Sequence, residues 1–170
     1  KIVVIDDKVA ACGGIDMTSD RWDTPEHRDH DRRRRSPGGE PYAPWHDATT
    51  ALQGPVAAAL GELARARWEG AGGRRLPPVS VATECWPASL VSDFEDVRVA
   101  VSRSMPAYRQ RQPILEIESV FLALIARAKR FIYAESQYFA SRRLAEAIAR
   151  RLEESDGPEV VLVNPVSSIG

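Results

Sequence analysis

The residues most able to do chemistry lie at the start of the chain. They are Lys1, an aspartate five positions on at Asp6, and the run Gly13-Gly14-Ile15-Asp16. By itself, a lysine at one strand end with an acidic residue five positions on is ordinary. Paired glycines let backbone N–H groups approach an anion closely, so Gly13 and Gly14 could form a phosphate-cradling turn. Taken by themselves the same glycines make an ordinary tight turn, and that is the more economical reading of Gly-Gly alone.

The histidines come next. His27 and His30 lie in an arginine-rich stretch, where a solvated surface role is the default. His46 stands between Trp45 and Asp47, and Asp47 could orient its imidazole. Structural support and cleft contact are equally open for it. His27, Asp29, His30 and Asp31 are metal-ligand types, but their spacing fits no standard template, so no metal is expected. Arg32 to Arg35 read as a solvated loop. The alternative is contact with anionic headgroups, worth about 1 kcal/mol per basic residue near a membrane surface. Asp29 and Asp31 dilute it.

These residues must be positioned by a mixed α/β scaffold. Lys1 to Asp6 is an apolar Val/Ile-rich strand, Asp6-Asp7-Lys8 a turn, and Val9 to Cys12 a second strand, together a hairpin. Residues 23–45 hold no apolar periodicity and read as an exposed loop. Helical spacing runs from Leu52 to Trp68, punctuated by Gly54-Pro55. Val97 to Val101 alternates at strand period. The last third predicts a helix carrying Ile117, Val120, Phe121, Leu124, Ile125 and Ala128, a strand from Phe131 to Ala134, a helix from Ser141 to about Glu154, and a strand from Val160 to Val163. Such alternation with short connections is the pattern of an α/β sandwich.

Bulk properties exclude several functions. The 170 residues carry a net charge of −1, which provides no global field for nucleic acid or an anionic membrane. No apolar run approaches the roughly 20 residues of a membrane-spanning helix. Cys12 and Cys85 make no disulfide framework and suit a reducing compartment. Arginine so outnumbers lysine that a GC-rich, bacterial genome is expected. A chain that opens on Lys1, already inside a strand, is expected to be a fragment or a processed product.

The whole string from Lys1 to Asp16 resembles the HKD signature of the phospholipase D superfamily, His-x-Lys-x4-Asp followed by a glycine turn. Gly-Gly-Ile-Asp with Arg21-Trp22-Asp23-Thr24 close behind is similar to the phospholipid-cleaving branch rather than to the nuclease and cardiolipin synthase branches. Pro44-Trp45-His46-Asp47 with Gly54-Pro55, Asp93 to Val97, and Ile132 to Phe139 match the same branch in the same order.

That resemblance implies a partial α/β/α sandwich. Residues 1–110 would be the later part of one half-domain and 111–170 the opening of the second. It implies hydrolysis or alcohol exchange of phospholipid diesters through a phosphohistidine. Lys1 would bind the phosphate and Asp6 would support the motif. Gly13, Gly14, Asp16, Arg21, His46, Glu135 and Gln137 would line the substrate cleft. An ionised Asp16 beside a phosphodiester would repel it, so Asp16 is expected to be hydrogen-bonded or ion-paired, with Arg21 a candidate partner. Neither catalytic histidine of the family is in this sequence, so the chain alone is expected to be inactive and to need the rest of the same polypeptide. No cofactor is expected, and the residues give no support for calcium. The implied partners are a phospholipid and a peripheral membrane surface, not nucleic acid, and the implied location is cytoplasmic or peripheral to a membrane. The competing readings are a nuclease or cardiolipin synthase-like transferase and a catalytically dead lipid-binding module.

Overall fold

Strand β1 (Ile2–Ile5) turns back on β2 (Val9–Gly13) through Asp6 and Asp7. Both aspartates have left-handed backbone, φ 52° and 54°, as primed hairpin turns require, and the Lys8 N–H closes the turn on the Ile5 carbonyl at 3.0 Å. Aspartate tolerates this conformation because its short polar side chain bonds locally. Strand β3 (Thr49–Gln53) adds to the other edge of β2, so all three strands are antiparallel, with Ile2 opposite Cys12 and Gly13 opposite Thr49. The computed structural model describes residues 1–79 and 85–165.

Helix α1 (Pro55–Gly70) covers one face of this sheet. Gly54 precedes it with φ 86°, and Pro55 takes the first helical position, where a missing N–H costs nothing. Ala10, Ala57 and Leu60 form the buried centre, flanked by Ile2, Val4, Cys12, Leu52 and Leu63. Ile2 and Val4 thus point at the helix, while Val3 and Ile5 point away and are exposed.

The chain divides into two compact units, the first Lys1–Val101 and the second from Ser102 onward. In the second, short strands β4 (Ser104–Met105) and β5 (Ile114–Leu115) pair antiparallel ahead of α2 (Glu116–Arg127). Strand β6 (Phe131–Glu135), helix α3 (Arg142–Leu152) and strand β7 (Glu159–Val163) form a βαβ unit with parallel strands, Ile132 opposite Val160. Ser141 caps α3 by accepting the Leu144 N–H. Ile125, Ala147 and Ile148 are the core, packed by Leu122, Ile132, Phe139, Leu144 and Val160.

The architecture is mixed α/β, as the alternation of periods predicts. Three local expectations change. Leu52 belongs to β3, not to the helix, because Gly54 and Pro55 separate the two elements. Val97 to Val101 forms no strand, although it alternates. Residues 23–45 do lack helix and strand except for an Arg35–Pro41 bridge, but the arginine run is not uniformly solvated: Arg34 is only 1% exposed.

Candidate active site

Pairing of β1 with β2 brings Lys1 back beside the residues that follow β2. The Lys1 ammonium donates to the Gly14 carbonyl at 2.6 Å and lies 2.8 Å from Asp16 Oδ1. The hydrogen bond and the charge of Lys1 hold the Asp16 carboxyl below its ordinary range, so it is ionised at neutral pH. Asp16 is therefore ion-paired, with Lys1 as its direct partner and the Arg21 charge adding to the same effect without a direct ion pair.

Gly13 and Gly14 are glycines for a packing reason. A Cβ on Gly13 would lie 2.2 Å from Thr49 Oγ1, and one on Gly14 would lie 2.9 Å from the Asp47 carboxylate oxygens. Neither has positive φ. Their missing side chains admit Thr49 and Asp47, and so bring the Trp45-His46-Asp47 segment against the turn.

Arg21 stacks its guanidinium on the Trp45 ring, 3.6 Å from the centroid. Its Nη1 lies 2.7 Å from Asp20 Oδ2, a contact of charges without hydrogen-bond alignment. His46 is exposed beside Trp45, with its ring centroid 6.4 Å from that of His27. Thus Lys1, Gly13, Gly14, Asp16, Arg21 and His46 gather at one end of the sheet. Asp6 is not with them: it is exposed at the hairpin turn, five residues along an extended strand, or about 16 Å away.

The loop at 23–45 is built on a buried arginine. Arg34 Nη1 donates to both Asp23 carboxylate oxygens at 3.1 and 3.2 Å, and Nη2 donates to the carbonyls of Arg28 and Asp29, each at 2.5 Å. Asp23 Oδ2 in turn lies 2.7 Å from His27 Nδ1. Burial opposes ionisation of Asp23, but the Thr24 N–H, His27 and Arg34 outweigh it and leave the carboxyl below its usual value. An ionised carboxylate only accepts, so Nδ1 of His27 carries the hydrogen.

The family model described as Phospholipase D matches residues 2–145. The chain belongs to the phospholipase D family. Among curated relatives it is similar to phospholipase D alpha 1 of Nicotiana tabacum, 26% identical over 82% of this chain and 24% of that protein. It is similar also to phospholipase D alpha 3 of Arabidopsis thaliana (30% identical, 77% of this chain, 21% of that one). Phospholipase D alpha 1 of Zea mays is 28% identical over 82% of this chain and 23% of its own length. The chain therefore spans about a quarter of the length of the relatives it matches. These relatives are plant proteins and lend no support to a bacterial source.

Within this phospholipase D chain the match takes in the glycine turn, Arg21, His46 and the end of β6, and it begins one residue after Lys1. Glu135 closes β6 in the second unit, exposed, and accepts the Tyr133 hydroxyl at 2.6 Å. That hydrogen bond, with burial and the Glu135 charge, raises the Tyr133 phenol above its ordinary range. Gln137 follows in the exposed turn after the strand.

Among the described residues no group of three or more His, Cys, Asp and Glu could hold a metal ion. The ligand types at 27–31 are engaged separately: His27 with Asp23, His30 with Asp29 at 3.3 Å, Asp31 with Arg33. No helix of the described residues is long and apolar enough to cross a membrane. Sequence reasoning did not find the Arg34–Asp23–His27 contacts. The i,i+4 spacing of Asp23 and His27 was a usable signal, whereas nothing in a run of four arginines marks the third as the buried one.

Proposed function

We propose that this chain forms the phosphate-side portion of a phospholipase D-type active site, within a longer polypeptide that cleaves the phosphodiester of a phospholipid. An imidazole nitrogen attacks phosphorus and the bond to the headgroup oxygen breaks. A second imidazole protonates the departing alcohol. Water, or another alcohol, then attacks the phosphohistidine phosphorus and gives its proton to that second imidazole, while the P–N bond breaks and the first imidazole is released. Both imidazoles come from the rest of the polypeptide, and this chain alone is inactive. The role of Lys1 is electrostatic, because phosphoryl transfer depends mostly on positioning and on neutralising the equatorial oxygens. Asp16 and the Gly14 carbonyl orient the ammonium, and Arg21 is held flat on Trp45 beside it. Contact with the membrane is peripheral.

The observation that carries this reading is the Lys1 ammonium fixed on the glycine turn by Gly14 and Asp16. The test is choline release from phosphatidylcholine by the longer protein. Removing one transition-state donor costs roughly 100- to 1,000-fold in kcat, and Lys1→Gln is expected to fall in that range with little change in KM. Cleavage of nucleic acid without choline release would overturn the reading in favour of a nuclease. Lipid binding without turnover would favour a non-catalytic module.

A further inference from the structure

Both fixed cations near the glycine turn already face carboxylates: Lys1 faces Asp16, and Arg21 faces Asp20. Each pair still presents a cation to an anion but carries little net charge, so additional hydrogen-bond donors for a phosphate come from other groups. His27 and His46 stand with their rings 6.4 Å apart, next to the Trp45–Arg21 stack.

The structure secures His27 far more firmly than a surface histidine needs. Taking a guanidinium out of water is costly, and a buried ion pair is weak grounds for stability. Arg34 is nevertheless buried in a loop with almost no regular structure, and its Nε has no hydrogen-bond partner among the described residues. What the burial achieves is geometric. The guanidinium clamps Asp23 with two hydrogen bonds, and Asp23 fixes the His27 ring through Nδ1. The other ring nitrogen, Nε2, is left to the side away from Asp23, on a side chain 46% exposed.

We propose that His27 is a phosphodiester-contacting residue of this site, oriented by the Arg34–Asp23 pair. The contact is made by the imidazolium form, which carries hydrogen on both ring nitrogens: Nε2–H donates to a non-bridging oxygen of the headgroup phosphate, while Asp23 holds Nδ1–H. Arg34 and Asp23 are positioning residues that act through the ring. The inference rests on the phospholipase D reading for the class of ligand.

The experiment is a titration of this chain with dimethyl phosphate, a diester without acyl chains, at about pH 5.5, below the ordinary imidazole range. Long-range proton–nitrogen NMR follows the ring nitrogens of each histidine. His30, almost fully exposed, is the internal control for nonspecific anion binding. The expected result is a saturable shift of His27 Nε2 with His30 unmoved. Asp23→Asn and Arg34→Lys are expected to weaken that response about tenfold, the size of one charge-assisted hydrogen bond. They should also free the neutral ring from the Nδ1–H tautomer, a signature that a purely structural role would not move. His27→Gln, at an exposed position, should remove the response with the amide spectrum otherwise intact. A response at His46 without one at His27 overturns the inference and leaves the phospholipase D reading standing. Equal shifts of His27 and His30, or none at either, overturn it as well. Choline release by the longer protein judges the activity independently.

Discussion

Asp7 shows how one side chain can serve the scaffold while its neighbour Asp6 remains at the surface. Its carboxylate accepts from Arg65 Nη1 at 2.9 and 2.8 Å and from the Val79 N–H at 3.1 Å. The Arg65 hydrogen bond is the main cause of a carboxyl held below its ordinary range; burial opposes it, and Val79 and the Arg65 charge reinforce it. Asparagine also tolerates the left-handed backbone, so Asp7→Asn keeps the turn while removing the charge and one of the two accepting oxygens. The expected loss is about 1.5–3 kcal/mol, the worth of hydrogen bonds to charged groups. Because the folded value lies below the unfolded one, the contribution is complete above pH about 4 and is lost as pH falls through the depressed value. The gap between wild type and Asp7→Asn should therefore narrow at pH 3 relative to pH 7. All four tryptophans lie in the first unit, so urea unfolding followed by their fluorescence reports on it. An unchanged gap would show that the pair is not what Asp7 contributes.

At the scale of elements, α1 is tied to the hairpin through Gly61, and here two effects of known size compete. Alanine for glycine inside a helix normally gains about 1 kcal/mol. A Cβ on Gly61 would stand 1.9 Å from Asp7 Oδ1, so the carboxylate would have to leave Arg65. That loss, about 1.5–3 kcal/mol, is larger, and Gly61→Ala is expected to destabilise the first unit. In an Asp7→Gly background the obstacle is gone and the left-handed turn is preserved. There the same substitution should stabilise, a reversal of sign that a double-mutant cycle in urea reads directly. Additive effects would refute the account. The same elements show what a sequence reveals. The β6–α3–β7 unit was legible because its periods, cap and connections are all local. Strand β3 was misjudged because Leu52 fits the helical period as well as the strand period, and only Gly54-Pro55 separates them. Alternation at Val97 to Val101 states which faces a strand would have, not whether another strand is there to pair with it. The hairpin that returns Lys1 beside Gly13 and Gly14 was readable from its two apolar runs and the acidic turn between them. The Asp16 partner and the Arg34 clamp depend on how an irregular loop folds back, and such loops carry no period.

For the molecule as a whole, each unit leaves apolar strand residues exposed on the side of its sheet away from its core. Val3 and Ile5 are exposed on β1, and Phe131, Tyr133, Val161 and Val163 are exposed on β6 and β7. Contiguous apolar surface of this kind marks an interaction face or, in an isolated chain, an association liability. The ladder of β6 and β7 also leaves strand edges that can pair with a second copy. The chain is therefore expected to self-associate in the micromolar range, visible by sedimentation velocity as a concentration-dependent shift. Val161→Thr with Val163→Thr keeps β-branched side chains on β7 and makes the open face more polar. Both side chains are about half exposed, so the pair should change stability by no more than about 0.5 kcal/mol per site. Association should weaken all the same. Helix α3 and the core around Ile148 lie on the opposite face and should be unaffected. If the wild-type chain sediments as a monomer at tens of micromolar, the open faces are not sticky. If the double substitution unfolds the second unit, those valines contribute to its core and the face is not open. Weaker association with an unchanged unfolding curve would assign these residues to an open contact surface rather than to the core.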